Sequence, residues 1–323
     1  MNLIDKLNRF ITKRAIILFS IFIIINILAN IPSQNHTTEI LSHFKLHYFY
    51  IGIIFSITFL YLSTFNRKFV LGIIVSILII LINFSDLRPY FFQTNYNITN
   101  HNTLKLGLYN VLTSNNKYNI LLEEIKKENP DIIILQEVDR YWLLGVSELK
   151  KQYPYYIEQE RDDNFGIALY SKYPFINSKI EKWTEYDLPV ANAKIDINGR
   201  EIQIYGVHTL PPLQKEYFLI RNEMLKQINE IINNHSKNLI IAGDFNTTAF
   251  SPAYKRYIKS TNINDAQTIS GNIHEGSWNT YHLPILRITV EHILSTKDIT
   301  PIEYKQGKFF GSDHFPVFVE FSL

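Results

Sequence analysis

Three runs in the first third of the chain, residues 15–31, 48–65 and 69–84, contain no charged side chain. Each has about the length that a helix needs to cross the ~30 Å hydrocarbon core of a bilayer. Three of them in close succession are more than the interior of one soluble domain accommodates, so the sequence predicts three transmembrane helices. The first run follows Lys6, Arg9, Lys13 and Arg14, as the apolar part of a signal peptide would. No small-x-small cleavage pattern comes after it, however, and two further runs do. Basic residues favour the cytoplasmic side. Four precede the first run, Arg67 and Lys68 lie in the turn between the second and third, and the loop at 32–47 has only Lys45. The expectation is a multi-pass protein of the cytoplasmic (inner) membrane with its N-terminus inside. Everything after about Ser85 would then be extracytoplasmic. The clusters Tyr48-Phe49-Tyr50 and Tyr90-Phe91-Phe92 suit the interfacial belts.

Charge divides along the same line. Residues 1–96 carry 8 Lys and Arg against 3 Asp and Glu, and the remainder carries 24 against 27, a formal balance of −3. The net positive charge of the whole chain therefore belongs to its membrane part. A protein that grips nucleic acid regardless of sequence relies on many Lys and Arg contacts to phosphates. The soluble part has no such excess, which disfavours a nucleic-acid partner. With no cysteine in the chain, disulfides, thiolate metal sites and a cysteine nucleophile are excluded.

Residues 86–103 are polar and Asn-rich beyond an aromatic start and read as a linker. A soluble domain of alternating strands and helices follows, over 104–323. Strands are expected at 104–111, 131–135, 166–171, 191–197, 201–207, 239–242, 289–294 and 316–321, and short or long helices at 119–128, 142–149 and 214–233. Asn198-Gly199, between two strand-like segments, is a strong hairpin signal. The long helix shows Tyr217, Ile220, Met224, Ile228 and Ile231 along one stripe. Hairpins among crossovers imply mixed rather than parallel sheets.

The strand at 239–242 ends in Gly243-Asp244-Phe245-Asn246. In extended backbone, positions i and i+2 point the same way, so Asp244 and Asn246 project together from the tip of a buried strand. Similar polar residues recur at other strand ends: Asn110, Glu137, His208, Glu291-His292 and Asp313-His314. Taken singly, each has an ordinary explanation as a turn residue or a hydrogen-bonded loop group. Their recurrence at one kind of position is what points to chemistry. Oxygen donors without a His/Cys cluster suit a hard cation such as Mg²⁺ rather than zinc.

The ordered set Asn110-Val111, Leu135-Gln136-Glu137, Gly206-Val207-His208, Gly243-Asp244-Phe245-Asn246 and Gly311-Ser312-Asp313-His314 resembles the endonuclease/exonuclease/phosphatase superfamily. This is the group of DNase I, the apurinic endonucleases, bacterial sphingomyelinases and inositol-polyphosphate 5-phosphatases. The likeness runs from about Leu104 to the end of the chain. It is strongest to bacterial membrane-anchored members, through Asn115, Pro130-Asp131, Arg221-Asn222 and Leu286-Arg287-Ile288. The resemblance implies a four-layer α-β-β-α sandwich and hydrolysis of a phosphate ester by an activated water. It implies Glu137 as principal metal ligand, with Asn110 and Asp313 on the metal (Mg²⁺, or Mn²⁺) or its waters. Asp244 would orient and deprotonate the water, and Asn246 would hold that water or the phosphate. His314 would face the charge developing on phosphoryl oxygen, and His208 would do likewise or protonate the leaving oxygen.

One position departs from the family pattern, which has Asp where this chain has Glu291. The extra methylene is expected to reach His314 only with a changed rotamer or a small strand shift, and a misplacement near 1 Å costs on the order of 100-fold. His292, on the opposite face of its strand, is read as structural, Arg221 as solvated or ion-paired, and Tyr170 as a packed aromatic. The functional expectation is a membrane-anchored, metal-dependent phosphodiesterase or phosphatase acting at or near the bilayer, for instance on a lipid headgroup. An extracytoplasmic nuclease and a catalytically silent binding module are its rivals. The segments 155–165 and 268–284 are the candidate specificity loops, and no protein partner is legible.

Overall fold

The structure is a computed structural model that describes residues 3–32, 35–93 and 102–323. The chain forms two compact units, residues 1–88 with 250–252, and residues 89–249 with 253–323.

The first unit is helical: α1 (Leu3–Asn30), the short α2 (His36–Ser42), α3 (Lys45–Ser63) and α4 (Val70–Phe91). Three helical segments, Asn8–Asn30, Lys45–Ser63 and Arg67–Phe91, are long and apolar enough to cross a membrane. Their aliphatic side chains point outward, Ile24, Ile57 and Leu71 each being more than half exposed. Polar groups turn inward. Asn83 Nδ2 donates to Asn26 Oδ1 at 2.8 Å, and Lys45 Nζ donates to Asn30 Oδ1 at 2.7 Å and pairs with Asp86. Lipid supplies no hydrophobic drive between helices, so small residues and interhelical hydrogen bonds hold them. Gly72 is one such residue, since a Cβ there would lie 2.7 Å from the Phe59 ring.

The last long helix corrects the sequence reading. It runs through Asp86, Arg88 and Pro89 to Phe91, residues assigned above to a linker. Charge marks where lipid would end, not where helical hydrogen bonding stops. Residues 94–101 of that expected linker lie outside the described residues.

Among the described residues the second unit holds twelve strands: β1 (Thr103–Asn110), β2 (Ile132–Gln136), β3 (Tyr155–Gln159), β4 (Ile167–Ser171), β5 (Phe175–Trp183), β6 (Leu188–Ile197), β7 (Arg200–Val207), β8 (Leu239–Asp244), β9 (Asn264–Asp265), β10 (Glu291–Ser295), β11 (Thr300–Gln306) and β12 (Val317–Ser322). They make two six-stranded sheets, ordered β11-β12-β1-β2-β4-β3 and β5-β6-β7-β8-β10-β9. Within each named pairing only β1–β2 and β7–β8 are parallel, so both sheets are mixed.

The two-residue period explains the layering. Leu106 and Leu108 of β1, Ile134 of β2 and Ile240 and Ala242 of β8 point into one slab between the sheets. Their neighbours Tyr109, Ile133 and Leu135 point the other way, onto Leu121 and Ile125 of α5 (Tyr118–Glu128) and Trp142 of α6 (Arg140–Gly145). Strands covered on both faces read as continuous apolar runs, which is why β2 and β8 were visible in the sequence. Burying each Leu or Ile contributes roughly 1.5–3 kcal/mol, and the slab holds the sheets about 10 Å apart. A short helix α7 (Leu149–Gln152) and the long α8 (Lys215–Asn234) complete the helical layers. The buried stripe of α8 keeps the expected Ile220, Met224 and Ile228 but takes Phe218 and Ile232 in place of Tyr217 and Ile231. Both members of the pairs 217/218 and 231/232 are apolar, so the sequence left the rotation of the helix open by one residue.

Candidate active site

The two parallel pairings bring the chemistry to one end. Pairing of Asn110 with Gln136 sets the tips of β1 and β2 side by side. Pairing of Gly206 with Ala242 does the same for β7 and β8, so His208 and Asp244 emerge together. On the other side of β8, β10 runs antiparallel with Glu291 directly opposite Asp244. The chain entering β12 delivers Asp313 and His314 to the same end. Two tip residues, Glu137 and Asn246, adopt left-handed backbone (φ 64° and 46°), which turns the chain sharply as it leaves its strand.

A residue whose role the sequence did not disclose joins the two sheets here. Gln136 is fully buried, its Nε2 donating to Val207 O at 2.8 Å and its Oε1 accepting from Asp244 N at 3.1 Å. One carboxamide thus fixes the heights of the β2, β7 and β8 tips relative to each other. Ser312 acts similarly, its hydroxyl donating to Asn110 O at 2.7 Å and accepting from His314 N at 3.1 Å. The Gln136 bonds need two sheets face to face and the Ser312 bonds need β1 beside β12, neither of which sequence spacing reveals.

On the first sheet's side, Asn110 Nδ2 donates to Glu137 Oε1 at 2.8 Å, and Trp278 Nε1 donates to Asp313 Oδ2 at 3.1 Å. The other oxygen of each carboxylate, Glu137 Oε2 and Asp313 Oδ1, is buried without a hydrogen-bond partner. Burial raises the Glu137 pKa, against the opposing effects of the Asn110 hydrogen bond and the His314 charge. An unpaired buried carboxylate oxygen is costly. Two in one pocket are what a divalent cation would satisfy.

The second sheet's side is an acid–base cluster in which Glu291 Oε2 and His208 Nδ1 are buried without hydrogen-bond partners. His314 Nδ1 is in short contact with Glu291 Oε1. Burial works against a charged His314, but the charge and hydrogen bond of Glu291, with Asp244 and Asp313, prevail and lift its pKa to about 10. Burial likewise opposes ionised Glu291, yet the His314 charge and hydrogen bond and the Ser277 hydroxyl hold its pKa low. The pair is carboxylate and imidazolium. His208 is the reverse: burial and then the nearby His314 charge depress it to about 3, so it is neutral. Asp244 is raised, chiefly by burial, and its Oδ1 accepts from Asn246 N at 2.7 Å. Its Oδ2 lies 3.7 Å from His208 Nε2 and 3.9 Å from His314 Nε2, just beyond direct hydrogen bonding.

Asp244, Glu291 and His314 each bring one potential ligand atom within 4.8 Å of the others, an arrangement compatible with a divalent metal. His314 is protonated there and already engaged by Glu291, so a cation among these three would have to displace that proton. Glu137 and Asp313 offer oxygens without a hydrogen-bond partner, as Glu291 does through Oε2, but the Glu291 carboxylate is already committed to His314 through Oε1. The two donor sets share one pocket and differ in which is ready.

Several expectations are corrected. Glu291 meets His314 with no register shift between β10 and β8, so its extra methylene is accommodated. Arg221 is not solvated: it is fully buried, and its Nη1 donates to Asn246 O at 3.3 Å. Half of the expected specificity loop 155–165 is the edge strand β3. The rest of it carries Phe165, whose ring lies 5.0 Å from that of His208. His292, read as structural, donates from Nε2 to Thr247 O at 2.9 Å, and its ring lies 4.4 Å from the Tyr254 ring. Tyr170 is buried, its hydroxyl donating to Glu158 at 2.6 Å.

Residues 107–314 match the family described as the Endonuclease/Exonuclease/phosphatase family. A phospholipase C of Staphylococcus aureus is 23% identical over 228 residues, 58% of this chain and 66% of that protein. This chain thus spans slightly less than two thirds of that relative's length. Among solved structures, D. rerio TDP2 complexed with a single strand DNA product superposes with a TM-score of 0.58 at 18% identity, covering 68% of this chain and 99% of that one. The S. aureus beta toxin gives 0.50 at 20% identity, covering 67% and 99%. These structural likenesses establish the fold, and the match across residues 107–314 establishes more: the chain belongs to the endonuclease/exonuclease/phosphatase family.

Proposed function

We propose that this protein is a membrane-anchored phosphoric ester hydrolase that uses Mg²⁺ or Mn²⁺, held by Glu137 and Asp313 with Asn110 aligning the Glu137 carboxylate. The observation that carries the reading is the pair of buried carboxylate oxygens without partners beside a buried aspartate and two histidines. A bound cation would neutralise charge on the phosphoryl oxygens and assist ionisation of a water. Asp244 takes the proton of the attacking water, and its raised pKa suits a base working near neutrality. The water oxygen bonds to phosphorus as the ester P–O bond breaks and the departing oxygen collects a proton. His314, held as imidazolium by Glu291, donates to the phosphoryl oxygen on which charge grows. His208 is neutral, so it serves as a hydrogen-bond donor to phosphoryl or leaving oxygen rather than as a store of positive charge. Asn246 aligns Asp244 through its backbone N–H.

The substrate is placed at the bilayer by this reading, with the hydrolase unit outside the cytoplasmic membrane. Three apolar helices, the basic residues around the first of them and the absent basic excess in the hydrolase unit support it. So does the likeness to a phospholipase C, one of the bacterial relatives. An intact Glu291–His314 pair argues against a silent binding module.

The test is hydrolysis by the full chain in lipid nanodiscs, comparing bis-p-nitrophenyl phosphate, p-nitrophenyl phosphate, phospholipids and plasmid DNA. Activity should require a divalent cation, vanish in EDTA and in Asp244→Asn, and favour the lipid over DNA. Cation-independent turnover, or none on any phosphoester by a folded chain, contradicts the reading.

A further inference from the structure

The rim of the site is unexpectedly greasy. Tyr281, Leu283, Ile285, Leu286 and Phe309 are 48–68% exposed, on two loops that are not strands of either sheet. The two loops meet through their rings, Tyr281 and Phe309 being 6.3 Å apart and Phe309 and Phe315 6.5 Å, and Leu283, Ile285 and Leu286 follow Tyr281 on its loop. The wall is stitched to the loop of Asp313 and His314. Thr280 N donates to Asp313 O at 2.9 Å, and Thr280 Oγ1 to Ser312 O at 2.8 Å. Arg287 lies over the Phe315 ring at 4.7 Å and donates to His282 O at 3.0 Å, which braces the loop from behind.

A contiguous apolar surface beside a polar pocket marks an interaction site. Nucleic acid would meet Lys and Arg at such a rim, not aliphatic side chains. Aliphatic tips with Tyr and Phe among them, and His282, Arg287 and Lys308 at their margins, match the chemistry of a lipid interface, where aromatic rings sit at headgroup level and cations face anionic lipid. The three apolar helices precede the hydrolase unit in the same chain, so the bilayer that they would cross is the surface to which this unit is tethered.

We propose that the wall of Tyr281, Leu283, Ile285, Leu286 and Phe309 enters the interfacial layer of the bilayer, so that the phosphoester delivered to Asp313 and His314 is carried by a lipid. This rests on the hydrolase reading above and adds to it the surface that presents the substrate.

The chain contains no cysteine, so a single introduced thiol is labelled uniquely. Leu283→Cys and Leu286→Cys, each carrying bimane, are compared in the full chain with Lys179→Cys on the exposed strand β5, in phosphatidylcholine–phosphatidylglycerol liposomes. Doxyl-labelled lipid should quench the first two and shift their emission to the blue, and leave the third unchanged. Emission from the Leu283→Cys label that remains that of water, unquenched, overturns the proposal. A blue shift that follows the protein-to-lipid ratio and ignores doxyl lipid also overturns it, in favour of contact between two copies of this chain. The double variant Leu283→Glu/Leu286→Glu should slow hydrolysis of vesicle phospholipid about tenfold or more and leave soluble bis-p-nitrophenyl phosphate untouched. Equal loss on both substrates contradicts the proposal. Quenching in a chain that hydrolyses neither substrate sinks the hydrolase reading and keeps the surface. Turnover of the soluble diester with an unquenched label does the opposite.

Discussion

The two sheets bring different kinds of group to the same pocket. Asn110, Glu137 and Asp313 come from the first sheet, and two of their carboxylate oxygens are buried and unpartnered. His208, Asp244 and Glu291 come from the second, where the charges are matched within the protein, Glu291 to His314 most tightly. His314 crosses between them, as Gln136 does, entering with the first sheet's strand and pairing with the second sheet's carboxylate. The contrast teaches that burial alone does not define a reactive group. The same low-dielectric pocket raises Glu137 and lowers Glu291, because burial prevails at Glu137 whereas at Glu291 the charge and direct hydrogen bond of the His314 imidazolium prevail.

Substitutions can break this division or sharpen it. The largest effect is expected at Asp244. Asp244→Asn leaves shape and volume in place and removes the base, which should cost about 10²–10⁴-fold in kcat with little change in cation requirement. Glu137→Gln should act through the cation instead. Its loss should exceed the ~100-fold that removing a supporting residue costs, and should shrink as Mg²⁺ is raised, visible as a shifted metal-activation curve. Glu291→Asp, the family's usual residue, should lower rather than raise the rate, by about tenfold, since the carboxylate would withdraw from a contact already made. A gain in rate there would mean that Glu291 damages the site. The smallest effect lies far from the pocket, at Glu128, which Lys105, Lys127 and Lys305 surround. Burial opposes its charge, but these hydrogen bonds bring its pKa down to about 2. A carboxylate lowered on folding stabilises above its unfolded pKa, about 4.5, and loses that contribution as pH falls towards 2. Glu128→Gln should therefore cost about 1–2 kcal/mol at pH 7, discounted because the lysines are partly exposed, with full activity retained. In thermal melts the difference from wild type should vanish near pH 2.

What the sequence disclosed follows the same physical divide. β2 and β8 are covered on both faces and announce themselves as apolar runs, and the Asn198-Gly199 turn, with positive φ at both residues, pins the β6–β7 register. Edge strands did not announce themselves. Strand β3 and most of β5 face solvent on one side with mixed residues, and 155–159 looked like loop. The polar tip residues were legible because each follows an apolar run. Their mutual distances were not. Gln136 gives no sign in the sequence that its two hydrogen bonds cross to the other sheet, and Arg221 gives none that its helix turns it inward. Glu291 reaches His314 as the sequence allowed, and the unshifted β10–β8 register shows that the strand does not move to permit it. The apolar rim at 281–286 passed as a loop without a pattern, since exposure is a property of the fold.

The claim that the first sheet's oxygens hold the cation is tested most directly by Mn²⁺ binding to the full chain, followed by electron paramagnetic resonance. Wild type, Glu137→Gln and Glu291→Gln are compared at one pH. Binding should be lost or weakened by more than about 100-fold in Glu137→Gln and nearly kept in Glu291→Gln. The opposite order, with Glu137→Gln binding normally and Glu291→Gln not, would place the metal among Asp244, Glu291 and His314 and contradict the division between the sheets.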